Sequence, residues 1–258
     1  MRKEGGREVP VLTQAGSGFV NPEISFFIMM HLNPAYIIVL LTMLASWLIQ
    51  RRLQSKFEQY SRVGLSNGLS GRQIAELMLA DHGITDVRVI STEGRLTDHY
   101  NPADKTVNLS EAVYEERSAA AAAVAAHECG HAVQHATAYS ALQFRSAMVP
   151  ALSAVSKFMP ILLFLGVVML RTTPLPLGIG VAFFALTTLF SFVTLPVEFD
   201  ASKRALAWMD KRNVVTPQEH VMAKDALWWA AMTYVVAALG SLATLFYYAT
   251  LLMGRRRD

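Results

Sequence analysis

The sequence predicts a mainly α protein: a four-helix integral membrane protein with a small α+β hydrophilic unit at one membrane face. Three observations carry this reading. The 258 residues are 53% hydrophobic and only 17% charged, where a soluble domain has about 25% charged residues. The apolar residues are concentrated. The stretches between Glu23 and Arg51, from Thr172 to Val197 and from Ala226 to Gly254 hold no Asp, Glu, Lys or Arg, and Ser146 to Leu170 holds only Lys157. About 20 mostly apolar residues cross the hydrocarbon core as a helix, which predicts spans near 28–50, 147–170, 175–197 and 230–253. The remaining hydrophilic residues collect in two blocks, Arg51 to Arg145 and Glu198 to Asp225.

The same figures exclude other classes. Intrinsic disorder fails because apolar surface is ample. A disulfide scaffold fails because Cys129 is the sole cysteine. The net charge of +3 and pI near 9.0 suit an anionic lipid bilayer, and no clustered basic stripe points to nucleic acid. The chain divides into an N-terminal extension (1–25), a first transmembrane helix (26–50), a hydrophilic α+β unit (51–146), a transmembrane hairpin (147–197), a second hydrophilic segment (198–229), and a fourth transmembrane helix with a basic tail (230–258). The first span is not a cleavable signal, since the region before it is long and contains acids.

Taken in order, Arg51 to Tyr60 mixes basic and apolar residues and reads as a juxtamembrane helix in the headgroups. Ser70 and Gln73 have capping-box spacing, and Ile74, Leu77 and Met78 follow at helical spacing until Gly83. His82 suits the C-terminal cap of that helix. Val87 and Val89 alternate with polar residues over Asp86 to Ile90, a strand. Lys105 to Leu109 reads as its antiparallel partner after an Asn101–Asp104 turn. Ser110 caps a short helix. The alanine run from Ala119 to Ala126 is a strong helix former.

That run leads into His127-Glu128-Cys129-Gly130-His131, an H-E-x-x-H sequence. At about 100° per residue the two histidines lie roughly 40° apart on one helix face, so their rings converge on one metal ion. Glu128 sits at the edge of that face, placed to act on a water. Cys129 projects away and is no ligand. Gly130 is costly in a helix, by about 1 kcal/mol against Ala, which the close approach of another backbone would explain. Chance predicts roughly 0.01 such matches in a chain of this composition.

A catalytic zinc keeps three protein ligands and an open position. His135 is too far along the axis to join the pair. Gln134 and Thr137 stand where a metzincin would need Gly and His. A carboxylate on a second helix remains, with Glu198 the first choice and Asp200 the fallback. The two hydrophilic blocks are separated by two spans, so they lie on the same membrane face, and the hairpin between them returns Glu198 to His127. The opposing reading of these acids is a helix first turn complementing its dipole. The Lys and Arg distribution puts both blocks, and the site, on the cytoplasmic side of the cell membrane; the basic tail opposes that bias.

The residues resemble the YugP-like family of membrane zinc metallopeptidases, from about residue 26 to 253. The resemblance rests on Leu96 to Pro102, Asn108 to Tyr114, Ala125 to Gln134, Arg145 to Pro150 and Leu195 to Ser202. It implies a zincin-like unit with a gluzincin-type site, in which His127, His131 and Glu198 hold Zn2+ and Glu128 is the catalyst. The Glu198-Phe199-Asp200-Ala201-Ser202 segment is also similar to one in HtpX-like membrane proteases, where an Asp steadies a zinc histidine. Ser202 takes that place here. Cys129 replaces the family's usual Val at what reads as an outward position.

The expectation is therefore a zinc-dependent endopeptidase acting on a peptide or membrane-protein substrate. His99 is the first choice for an oxyanion donor, with Tyr100 and Arg204 behind it. The opposing reading of His99 is a hairpin histidine bonded to local backbone. A non-catalytic membrane protein with a structural or sensing zinc site is the alternative reading, and Glu128 weighs against it. An intramembrane site-2-type protease lacks its Asp-Gly element here, and a transporter lacks broken-helix repeats. No oligomeric state is predicted.

Overall fold

A computed structural model describes residues 34–254. The N-terminal extension, the start of the first span, His31 and the basic tail at 255–257 lie outside the described residues. The chain runs α1 (Pro34–Ser61), α2 (Gly71–Asp81), β1 (Arg88–Thr92), β2 (His99–Asn101), β3 (Thr106–Ser110), α3 (Glu111–Glu115), α4 (Ala119–Ala136), α5 (Ser140–Val168), α6 (Leu175–Arg212) and α7 (Pro217–Gly254). Four of the helices, α1, α5, α6 and α7, are long and apolar enough to cross a membrane.

Their lengths explain how distant motifs meet. At 1.5 Å per residue the 38 residues of α6 and of α7 extend about 57 Å, against about 30 Å of hydrocarbon. Each is therefore longer than a bilayer crossing needs, and the C-terminal part of α6 with the N-terminal part of α7 carries the second hydrophilic segment. Asn213 closes α6 in the left-handed region at φ 53°, and α7 returns beside it. Arg51 to Tyr60 does not form a separate surface helix. It continues α1 without a break, because Lys56 and Tyr60 both bond Asp225 of α7, at 2.7 and 2.5 Å.

The α+β unit wraps α4. Its alanines are buried on nearly every side, and the small side chains let neighbouring helices approach. Ile74, Ala75, Met78 and Leu79 of α2 join Val107 and Leu109 of β3 and Trp208 and Met209 of α6 in one core around it. The Ser70 capping box forms as its spacing predicts, and the His82 ring meets the Met78 carbonyl at 2.8 Å.

The strands differ from a two-stranded antiparallel ribbon. The sheet has three strands in the order β1-β3-β2. β2 pairs antiparallel with β3, His99 opposite Asn108, while β1 pairs parallel with β3, Arg88 opposite Thr106. Three residues of β2 are too few for alternation to show in sequence. Ser110 precedes α3, but its hydroxyl makes no cap bond; it donates to Asp98 instead, at 3.0 Å. Cys129 points away from the other helix face as expected, yet it is not outward. It is fully buried against α2, where its thiol meets the Ala75 carbonyl at 3.5 Å.

Gly130 meets the backbone its sequence position implies. A Cβ there would lie 2.6 Å from the Ala201 carbonyl oxygen. This contact sets α4 directly against the C-terminal part of α6, three residues past Glu198.

Candidate metal centre and active site

α4 and α6 bring three donors together. The ligand atoms of His127, His131 and Glu198 all lie within 4.8 Å of one another. Glu198 Oε2 is 3.3 Å from His127 Nε2 and 3.5 Å from His131 Nε2. Zinc bonds of about 2.0–2.1 Å in a tetrahedron imply ligand separations of about 3.3 Å. Two imidazoles and a carboxylate at this spacing fit a catalytic zinc set.

The far sides of both rings are held so that Nε2 faces the cluster. Gln134, wholly buried, uses its Nε2 to donate to the Val197 carbonyl and to Asp200 Oδ2, both at 2.8 Å. Its Oε1 is therefore an acceptor, and His131 Nδ1–H donates to it at 3.0 Å. His127 Nδ1 lies 3.1 Å from Ser202 Oγ, so a hydroxyl stands where the related pattern has a carboxylate. Such partners fix tautomer and ring orientation in metal sites. Burial opposes a charge on His131, but the hydrogen bond to Glu198 and the charges of Glu128 and Glu198 outweigh it and raise the ring above its ordinary value. The same negative field favours a divalent cation, which displaces the ring protons when it binds.

A cleft of about 390 Å³ opens over the cluster, lined by Asp98, His99 and Tyr100 around β2, by Glu128, by Leu142, Arg145, Ser146 and Val149 of α5, and by Tyr234 of α7. Glu128 Oε2 accepts from the Tyr100 backbone N–H at 3.0 Å, tying β2 to α4. Asp98 fixes the start of β2. Its burial pushes its carboxyl up, against the Ser110 amide and hydroxyl that bond it. A larger cleft of about 540 Å³ lies elsewhere, between α1 and the β1–β2 loop, and contains none of the three donors.

The other sequence-derived candidates separate. Asp200 is engaged by Gln134 and by Arg204 at 2.5 Å and stands outside the donor cluster. Arg204 does not line the cleft; that pair and the Tyr139 ring hold it. His135 meets the Tyr100 hydroxyl at 2.7 Å, which engages both. His99 does line the cleft, but its Nδ1 faces the Thr97 carbonyl at 2.7 Å. Nδ1 must therefore carry a proton, and Nε2 donates only when the ring is an imidazolium.

Three residues enter that sequence reasoning did not place. Gln134 entered the sequence reading only by departing from the metzincin pattern and within the Ala125–Gln134 stretch, with no role of its own. Arg145 Nη1 lies 3.6 Å from Glu198 Oε1. Tyr234 of α7 lines the same cleft as Glu198. Arg145 thus attends one oxygen of Glu198 while the other faces both histidines.

The comparisons agree with this geometry. A family described as "Putative neutral zinc metallopeptidase" matches residues 35–253. No solved structure matches. The chain is 39% identical over 213 residues to the "Putative membrane protease YugP" of Bacillus subtilis (strain 168), covering 83% of this chain and 94% of that protein. On these matches the chain belongs to the family described as "Putative neutral zinc metallopeptidase".

Proposed function

We propose that the protein is a multi-pass zinc-dependent endopeptidase of the cell membrane, with its active-site cleft at the cytoplasmic membrane surface. The observation that supports this best is the cluster of His127, His131 and Glu198 beside Glu128 in one cleft. A structural metal site has no need of a general base or an open cleft.

His127, His131 and Glu198 would hold the ion. The chemistry zinc supplies in such a site is Lewis acidity toward a water and a peptide carbonyl. Glu128 keeps one oxygen on the Tyr100 amide; its other oxygen takes the proton of the attacking water and delivers it to the leaving amine. β2 is the edge strand beside the cleft, so an extended substrate pairs along it.

The oxyanion needs a donor. His99, the first choice from sequence, has its Nδ1 turned to the Thr97 carbonyl, whereas Tyr234 lines the cleft from the side of α7. We assign the larger share to Tyr234. Tyr234→Phe is expected to lower kcat about 100-fold, in the range for one lost oxyanion donor, with zinc content unchanged. An unaltered kcat returns the role to His99.

The test of the function itself is metal removal. Purified full-length protein in detergent should cleave an unstructured reporter protein, lose that cleavage on chelation and regain it with stoichiometric zinc. Zinc-replete protein that cleaves no peptide would leave the non-catalytic metal-site reading in its place.

A further inference from the structure

The long helices do not close into a bundle. α5 packs on α6, α6 on α7, and α7 on α1, while α5 makes no extensive contact with α7 or α1 among the described residues. They form an open row. The catalytic cleft sits between its first and third members, on Val149 of α5 and Tyr234 of α7. Both positions fall inside predicted spans, and beyond Val149, where the cleft's lining on α5 ends, an exposed face of α5 runs on into the apolar stretch.

That edge carries a charge. Ser153, Ser156 and Lys157 fall within about 80° of Val149 around the helix, and all four are exposed. Lys157 makes no ion pair or hydrogen bond among the described residues. At 1.5 Å per residue it lies about 18 Å along α5 from Arg145 and about 21 Å from Arg171, too far for its four-carbon stem to bring the ammonium to either headgroup layer. An intramembrane cation is retained where it has a partner. Lipid phosphates lie at the headgroups. A second copy of this chain offers no carboxylate at that depth, because its four apolar stretches contain no Asp or Glu.

We propose that the Ser153–Ser156–Lys157 face of α5 receives a transmembrane helix of the substrate carrying a carboxylate near mid-membrane. Its juxtamembrane segment then reaches the cleft in extended form. The substrate class is a membrane-anchored protein cut just outside the bilayer. This rests on the proteolytic reading above, but docking is measured without it.

The test uses the full chain reconstituted in lipid vesicles. The docking arm carries Glu128→Gln, which does not cut, together with Ser153→Cys; the buried Cys129 does not compete. The probe is a Leu/Ala-rich transmembrane peptide with one central Asp, a cysteine one turn away, and a cleavable juxtamembrane linker. A second peptide has Leu in place of Asp. Disulfide formation should be at least about tenfold greater with the Asp peptide. Lys157→Leu should abolish the difference, and Lys157→Glu should transfer the preference to a probe with central Lys. Phe158→Cys, on the opposite side of α5, should not react preferentially. Equal capture of both peptides, capture unaffected by Lys157→Leu, or disulfides between two Ser153→Cys chains in place of the probe would overturn the proposal. In the cutting arm, Lys157→Leu with Glu128 intact should slow cleavage of the Asp peptide about tenfold and leave a soluble linker peptide unaffected. Equal slowing of both substrates would overturn it. Docking as expected with no peptide cut by zinc-loaded parent protein would instead overturn the proteolytic reading and the substrate's identity with it.

Discussion

Glu128→Gln is expected to abolish peptide cleavage, by about 10²–10⁴-fold, while zinc stays bound. The reasoning is geometric. Glu128 is not among the three clustered donors, so its replacement removes no ligand. Gln keeps an oxygen able to accept from the Tyr100 amide, which Glu128 does at 3.0 Å, so β2 stays attached to α4. What disappears is a carboxylate able to take a proton from water and return it to an amine. Zinc content and kcat should be measured on the same preparation. Retained cleavage by a metal-replete variant would remove Glu128 from the mechanism.

Glu198→Ala is expected to have the largest effect on the metal itself, with zinc stoichiometry well below that of the parent protein. Two histidines alone leave a zinc site short of its usual three protein ligands. The loss also removes the carboxylate partner of Arg145, 3.6 Å from Glu198. Helix content should be recorded in parallel, so that lost metal is distinguished from lost fold. Stoichiometry equal to the parent would move the third ligand to Asp200 or His135. Both have other partners in the structure.

The two variants probe features of different legibility. His127, Glu128 and His131 share one helical turn, so their spacing alone placed them. Glu198 was legible because a hairpin of two spans admits one topology: both ends return to the same face. Gly130 was legible as an unfavourable helix residue needing a reason, and Ala201 supplies it. The apolar stretches were legible because about 20 apolar residues in a row favour one long helix, although their length did not reveal how far α6 and α7 continue past them as helix.

The rest depended on rotations that sequence spacing does not encode. Tyr234 is one aromatic among many on α7, and only the angle at which α7 packs on α6 turns it toward Glu198. Arg145 looked like a charge flanking a span, and its reach back over the cleft follows from where α5 begins. Gln134 entered only as a departure from the metzincin pattern, and its complete burial is what makes its hydrogen-bond partners obligatory. Cys129 was correctly directed away from the histidines, but the presence of α2 on that side made the position interior. The sheet escaped because β2 is too short to read: without it β1 and β3 look like an antiparallel ribbon, whereas the extra strand reverses the chain once more and leaves β1 and β3 paired in parallel.

The central claim is that His127, His131 and Glu198 hold one zinc ion. X-ray absorption at the zinc edge of the purified, stoichiometrically loaded protein measures this most directly. The account predicts nitrogen and oxygen neighbours only, at about 2.0–2.1 Å, with the multiple-scattering signature of two imidazoles that falls to fewer light-atom neighbours in Glu198→Ala. A thiolate sulfur neighbour at about 2.3 Å, which only Cys129, the sole cysteine, could provide, or a spectrum unchanged by Glu198→Ala, would contradict it.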